Sequence, residues 1–200
     1  LEDEKTFVHI FEAMDRGHAE RLAPMVEEAM RGAEFSSLTH LAVTTGPGTF
    51  TGQRVGLAFM RGLRLALQIP LTGVTTLEAI ALAAMKESEG TKAAVIHDAR
   101  REEAYLLLRD GDQVILEPVV MPFAGAVDRI RAFGPCVLAG TGAGIAKESL
   151  GADFALSSIR QPDALWVARL ARTMPVPQDA PGPLYLRAPD AKLPGGKALV

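Results

Sequence analysis

Residues 44–67 read TTGPGTFTGQRVGLAFMRGLRLAL, with glycines at 46, 48, 52 and 56 and a proline at 47 crowding the mouth of a long helical pattern. The segment before it, LTHLAVTT (38–45), has the short apolar run of a buried strand. Strand, glycine turn and helix is an order that can hold an anion, because unpaired amides and the helix dipole point at one place. The turn lacks a Lys-Ser/Thr pair at Walker spacing, its glycines miss the dinucleotide pattern, and Pro47 removes one donor. Two readings therefore stay open. In one, Gly46, Gly48 and Thr49 contact a nucleotide or anion, joined across a cleft by Gly140 and Gly142 of AGTGAG (139–144). In the other, the glycines serve a tight structural turn.

The helix carries more information than the turn. At about 100° per residue, Gly52, Val55, Gly56, Phe59, Met60, Gly62, Leu63, Ala66 and Leu67 spread over an apolar arc of roughly 160°. A helix lying on one sheet needs a stripe of only about 100°. The surplus must meet a neighbouring helix or another chain. Gly52 and Gly56, one turn apart, would let a partner backbone come close. The internal neighbour is GHAERLAPMVEEAM (17–30), an amphipathic pattern through Leu22, Met25, Val26 and Ala29 in which Pro24 is expected to introduce a kink. These two helices supply the expected partner surface, with Leu22, Met25, Gly52, Gly56, Met60, Leu63 and Arg64 as its candidates.

Outward from this core, LEDEKTFVHIFEAM (1–14) reads as a strand end, an acidic turn and a strand alternating through Phe7, His9 and Phe11. IPLTGV (69–74) reads as a strand, and Thr75 with Glu78 forms a capping box opening a helix over 77–87. A second series follows: KAAVIH (92–97), EAYLLLR (103–109) and QVILEPVV (113–120) as strands, FAGAVDRIRAF (123–133) as a helix, and GPCVLAG (134–140) as a compact strand leading into AGTGAG. PDALWVARLARTM (162–174) is a last helix before a proline-rich, irregular tail over 175–196. Strands followed by helix and strand, twice over, predict an α/β protein of two duplicated lobes, 1–90 and 91–200.

The bulk numbers narrow the function classes. The 200 residues are 48% hydrophobic and 22% charged, with no apolar run long enough for a bilayer span, so no membrane role is expected. Cys136 is the single cysteine and no leader pattern stands at the start, which points to a reducing, cytoplasmic setting. A net charge of −3 argues against unaided nucleic-acid binding; a direct tRNA binder would need a basic face that the charge balance does not advertise.

Five motifs in order, RGHAERL (16–22), GPGTFTGQRVGLA (46–58), GVTTLEAIA (73–81), DARREEAY (98–105) and PLYLRAPDAK (183–192), resemble the bacterial TsaB family, also called YeaZ. The resemblance spans nearly the whole chain. It implies actin-like lobes of the ASKHA, ribonuclease H-like class. It also implies a role as partner of TsaD, the related enzyme that places threonylcarbamoyl on adenosine 37 of tRNA, in a heterodimer that a TsaE-like ATPase joins in a larger complex. Transfer RNA would be met only through that complex, no cofactor is implied, and the same strip could pair two copies of the chain. The family begins with a strand and hairpin bearing an Asp-Thr-Ser-like turn that is not found here, so the first lobe is expected to lack those strands.

Chemistry is sparse. Where TsaD relatives carry two histidines four residues apart, this chain has Thr76 and Ile80, which make no metal site. His9, His18, His40 and His97 are scattered and read as surface or hydrogen-bonded residues, Cys136 as a buried thiol, and Asp98 with Arg100, Arg101, Glu102 and Glu103 as a solvated hairpin tip. The expectation is a non-catalytic subunit, with no catalytic residue assigned. The alternative is an ATP-binding enzyme or a glycoprotease-like metallopeptidase of the same fold class.

Overall fold

The structure, a computed structural model, describes residues 6–14 and 17–187. Two sheets organise it. The first joins β1 (Leu41–Gly46) to β2 (Leu71–Thr75) in parallel, with Leu41 opposite Leu71 and Thr44 opposite Val74. Such a pair needs a crossover, here supplied by α2 (Phe50–Leu67). The second sheet has the order β5-β4-β3-β6-β7. β3 (Lys92–Arg100), β4 (Glu103–Asp110) and β5 (Gln113–Pro122) form an antiparallel meander, and β6 (Val137–Ala139) and β7 (Ala155–Leu156) extend it in parallel.

β3 shows why its sequence is a continuous apolar run. Ala94 and Ile96 face α4 (Phe123–Phe133) and α5 (Ala143–Leu150), while Ala93 and Val95 face α3 (Thr76–Ser88). With both faces covered, the period of two no longer separates apolar from polar. The Thr75 hydroxyl accepts the Glu78 amide at 3.2 Å and donates to the Glu78 carboxylate at 2.7 Å, the capping box that starts α3.

α3 is buried on two sides. Leu77, Ile80, Ala81 and Ala84 pack on the five-stranded sheet, and Ala79 packs with Val74 and with Val167, Leu170 and Ala171 of α6 (Ala164–Thr173). α3 packs on both sheets, and α6 returns to cover β1 and β2.

One sequence expectation changes at the N-terminus. Residues 6–14 form no strand, and Phe7, Val8 and Phe11 are exposed. Among the described residues no strand lies beside this segment, which is held by side chains: His9 to both Asp163 oxygens at 2.8 Å, and Glu12 to Arg21. The remainder of the expected hairpin, residues 1–5, lies outside the described residues. Pro24 sits within α1 (His18–Ala29), a helix that runs unbroken past it. None of the α1 residues is fully buried, so this helix is held only from one side.

The tail beyond α6 is irregular, as its prolines predict, yet it is firmly attached. Arg61 donates two bonds to the Pro181 carbonyl at 3.1 and 2.7 Å, Arg64 donates to the Gln178 carbonyl at 2.9 Å, and the Leu184 amide donates to the Thr45 carbonyl at 2.8 Å. At its far end Arg187 bonds the Ala99 carbonyl and pairs with Glu103, both at 2.6 Å. Residues 178–187 thus form a strap running along α2 to the β3–β4 turn.

Candidate functional site

The glycine turn is built for packing. Gly46 has a φ of +108°, and a Cβ there would lie 2.5 Å from the Gln53 side-chain amide. Gly48 would place its Cβ 3.6 Å from the same amide. Gln53 therefore fills the concavity where an anion would sit. Thr49 acts as N-cap of α2, its hydroxyl accepting the Gly52 amide at 3.3 Å, so one donor of the helix mouth is satisfied internally. The Gln53 Oε1 is buried with no hydrogen-bond partner among the described residues.

Gly140 and Gly142 meet the end of β3 in the same manner. A Cβ on Gly140 would stand 2.6 Å from the Ile96 carbonyl oxygen, and the Gly142 amide donates to that oxygen at 3.0 Å. Gly142 also borders a cavity of about 410 Å³ with Asp98, Glu102, Glu103, Phe123, Thr141 and Ile145. Of its carboxylates, Glu103 is paired with Arg187, which leaves Asp98 and Glu102 as the other acidic lining residues.

The expected partner residues fall into two sets. Leu22 and Met25 are half-buried on α1, which packs on α2. Met60 and Leu63 pack against Leu41, Val43, Leu57 and Leu71, the core of their own sheet, and Arg64 is engaged by the strap. Gly52 is closed over by Thr49, whereas the space above Gly56 is open: nothing lies within 4 Å of a Cβ placed there or on Gly62. α1 does not close onto the glycine face.

The uncovered side of α2 carries Thr51, Ala58, Gly62, Leu65 and Ala66, all exposed, with Val55 and Phe59 half-buried beside them. Leu65 is 71% exposed. Only Leu57 of this 18-residue helix is fully buried. Val55, Gly62 and Ala66 belong to the arc drawn from sequence; Ala58 and Leu65 were missed. Leu65 projects next to Arg54 and Arg61, so a helical projection assigns it to the polar side. What makes it conspicuous is the strap, which draws the arginines to their own edge and leaves a smooth apolar strip.

The titratable groups carry little reactive potential. Burial pushes the Cys136 thiol up to about 12, leaving it protonated and unreactive at neutral pH. Burial also holds His97 below the usual imidazole range, against the pull of Asp98, and its Nδ1 has no hydrogen-bond partner among the described residues. His97 is thus a partly buried strand residue, not an ordinary surface histidine. His40 shares a 2.7 Å hydrogen bond with the Thr72 hydroxyl. Ile80 is fully buried and Thr76 nearly so, both serving the core. Among the described residues no group of three or more His, Cys, Asp or Glu is placed to hold a metal ion, and no helix is long and apolar enough to cross a membrane.

The family described as TsaD, tRNA N6-adenosine threonylcarbamoyltransferase, matches residues 10–134. The tRNA threonylcarbamoyladenosine biosynthesis protein TsaB of Escherichia coli K12 is 36% identical over 97 residues, 48% of this chain and 42% of that protein. TsaB of Haemophilus influenzae is 35% identical over 122 residues, 60% of this chain and 49% of its own. The chain thus spans about half or less of the length of these two relatives. A crystal structure of a Pseudomonas aeruginosa protein similar to the peptidase YeaZ superposes with a TM-score of 0.76 at 30% identity, covering 88% of this chain and 87% of that one. The actin-like α/β class expected from the motifs is the class found, and the chain belongs to the TsaB (YeaZ) family.

Proposed function

We propose that this chain is a non-catalytic partner subunit in tRNA threonylcarbamoyladenosine synthesis, docking on a TsaD-type enzyme through the open side of α2 and the neighbouring face of α1. One observation carries the reading: Ala58, Gly62, Leu65 and Ala66 form an apolar helix strip that the described residues leave uncovered. Glycine and alanine there allow a facing helix to approach closely, and Leu65 offers a side chain for a pocket on the partner. A self-complementary strip of this kind also allows two copies to pair when the enzyme is absent. A TsaE-like ATPase joins the larger complex, and the enzyme supplies the chemistry. The core roles of Thr76 and Ile80 and the protonated Cys136 support a subunit without turnover of its own.

The alternative is an ATP-binding enzyme or metallopeptidase of the same fold class. It draws on the 410 Å³ cavity beside Gly142. Gln53, packed against Gly46 and Gly48, opposes a triphosphate at the glycine turn. Calorimetry with ATP and Mg²⁺ decides: stoichiometric tight binding to the isolated chain would favour the alternative.

The docking reading is tested with Leu65→Asp. A carboxylate at the centre of an apolar contact costs at least about 2 kcal/mol, or roughly 30-fold in affinity for the TsaD-type enzyme. Ile115→Asp, at an exposed apolar position on β5, is the control and leaves binding unchanged. Equal binding by both variants would refute the assignment of this strip.

A further inference from the structure

α2 contains three arginines and no acidic residue. Arg54, Arg61 and Arg64 lie within about 80° of one another around the helix and within about 15 Å along it. None takes part in an ion pair among the described residues. Their acceptors are neutral: the Tyr185 hydroxyl for Arg54 at 3.0 Å, and strap carbonyls for Arg61 and Arg64. A carbonyl orients a guanidinium without cancelling its charge. Each of the three uses at most two of its five donors in this way. The result is an uncompensated cationic row on a chain whose net charge is −3.

At one end of the row stands an aromatic pair. Phe50 and Tyr185 stack with centroids 5.7 Å apart, and Arg54 lies 3.6 Å over the Phe50 ring. Both rings remain open to solvent, Phe50 at 48% and Tyr185 at 45% exposure. Guanidinium forks match phosphate oxygens, and an exposed aromatic face accepts a nucleobase of any identity. We propose that this edge of α2, with the strap that orients it, binds a single-stranded phosphodiester chain, the arginines on its backbone and Tyr185 beneath a base.

The site goes beyond the partner role proposed above and does not depend on it. The arginine row borders the apolar strip at Leu65, which lies beside Arg54 and Arg61 around the helix, so the two sites adjoin along α2. An acidic protein surface would use the charges but leave the exposed aromatic stack without a function. The net charge concealed this row because the compensating carboxylates lie elsewhere on the surface.

The test uses the full chain and labelled homopolymer strands of about 12 nucleotides, one RNA and one DNA, titrated at several salt concentrations. Binding of either strand at low salt is expected, and the ratio between them reports which sugar the site prefers. Neutralising three phosphate contacts contributes about 2 to the log–log salt slope of a single strand. The Arg54→Gln/Arg61→Gln/Arg64→Gln variant should therefore flatten the slope by about 2 and weaken binding at least about 10-fold at low salt. A control variant, Arg129→Gln/Arg169→Gln/Arg172→Gln, changes net charge equally and keeps the binding. Arg54→Gln alone leaves the strap carbonyl bonds intact and should lower the slope by about 0.7, which keeps the result readable if the triple variant loosens the strap. No binding of either strand, equal loss in the control, or unaltered slopes in both α2 variants would overturn the proposal. So would polyglutamate binding as well as the strands, since that would mark an acidic protein as the occupant.

Discussion

Replacing Gly46 by alanine tests whether the glycine turn is a packing device. Gly46 holds a φ of +108°, which costs a residue with a Cβ about 1–2 kcal/mol. The new methyl would stand 2.5 Å from Nε2 and 2.7 Å from Cδ of Gln53, so the buried amide must leave its rotamer for a further 0.5–1.5 kcal/mol or so. Together these give about 1.5–3.5 kcal/mol, or a fall in melting temperature of about 3–14 °C for a chain of this size. Gln53→Ala removes the second term. In that background the same glycine substitution should cost only about 1–2 kcal/mol, the backbone contribution alone. Urea unfolding of the four proteins in a double-mutant cycle measures both costs. A Gly46→Ala cost below about 0.5 kcal/mol, or an identical cost with and without Gln53, would refute the packing account.

Two further outcomes follow from the core. Ile80→Ala should lose about 2–5 kcal/mol in the same assay, because the side chain is fully enclosed between α3 and the five-stranded sheet. His97 takes up a proton less readily when folded than when unfolded, because burial holds its pKa below 6.5. Its contribution to stability is therefore complete above pH 6.5 and declines as pH falls below that value, and His97→Gln should flatten the decline between about pH 6.5 and 5. A slope unchanged by that substitution would remove His97 as its cause.

Local patterns were legible wherever the partner was close in sequence. Thr75 and Glu78 announced the start of α3, and residues 98–103 the β3–β4 turn, where Arg100, Arg101 and Glu102 take left-handed conformations. The width of the α2 arc was also legible, and its consequence, a strip that one sheet leaves bare, is present. Its phase was not. An arc of about 160° permits several orientations on the sheet, and the choice is made by contacts more than 100 positions away, Arg61 with Pro181 and Arg64 with Gln178. A separation of 84 positions likewise hid the pairing of Arg187 with Glu103, which made the β3–β4 turn look solely solvated. Residues 7–11 failed for a related reason: alternation marks a strand only where a second strand is present to pair with it.

Hydrogen exchange of the chain with and without its TsaD-type enzyme tests the central claim most directly. Peptides covering residues 50–67 should gain protection in the complex while those covering β4 and β5 stay unchanged. Protection confined to the cavity around Asp98, Thr141 and Ile145, with α2 exchanging as freely as before, would contradict the account.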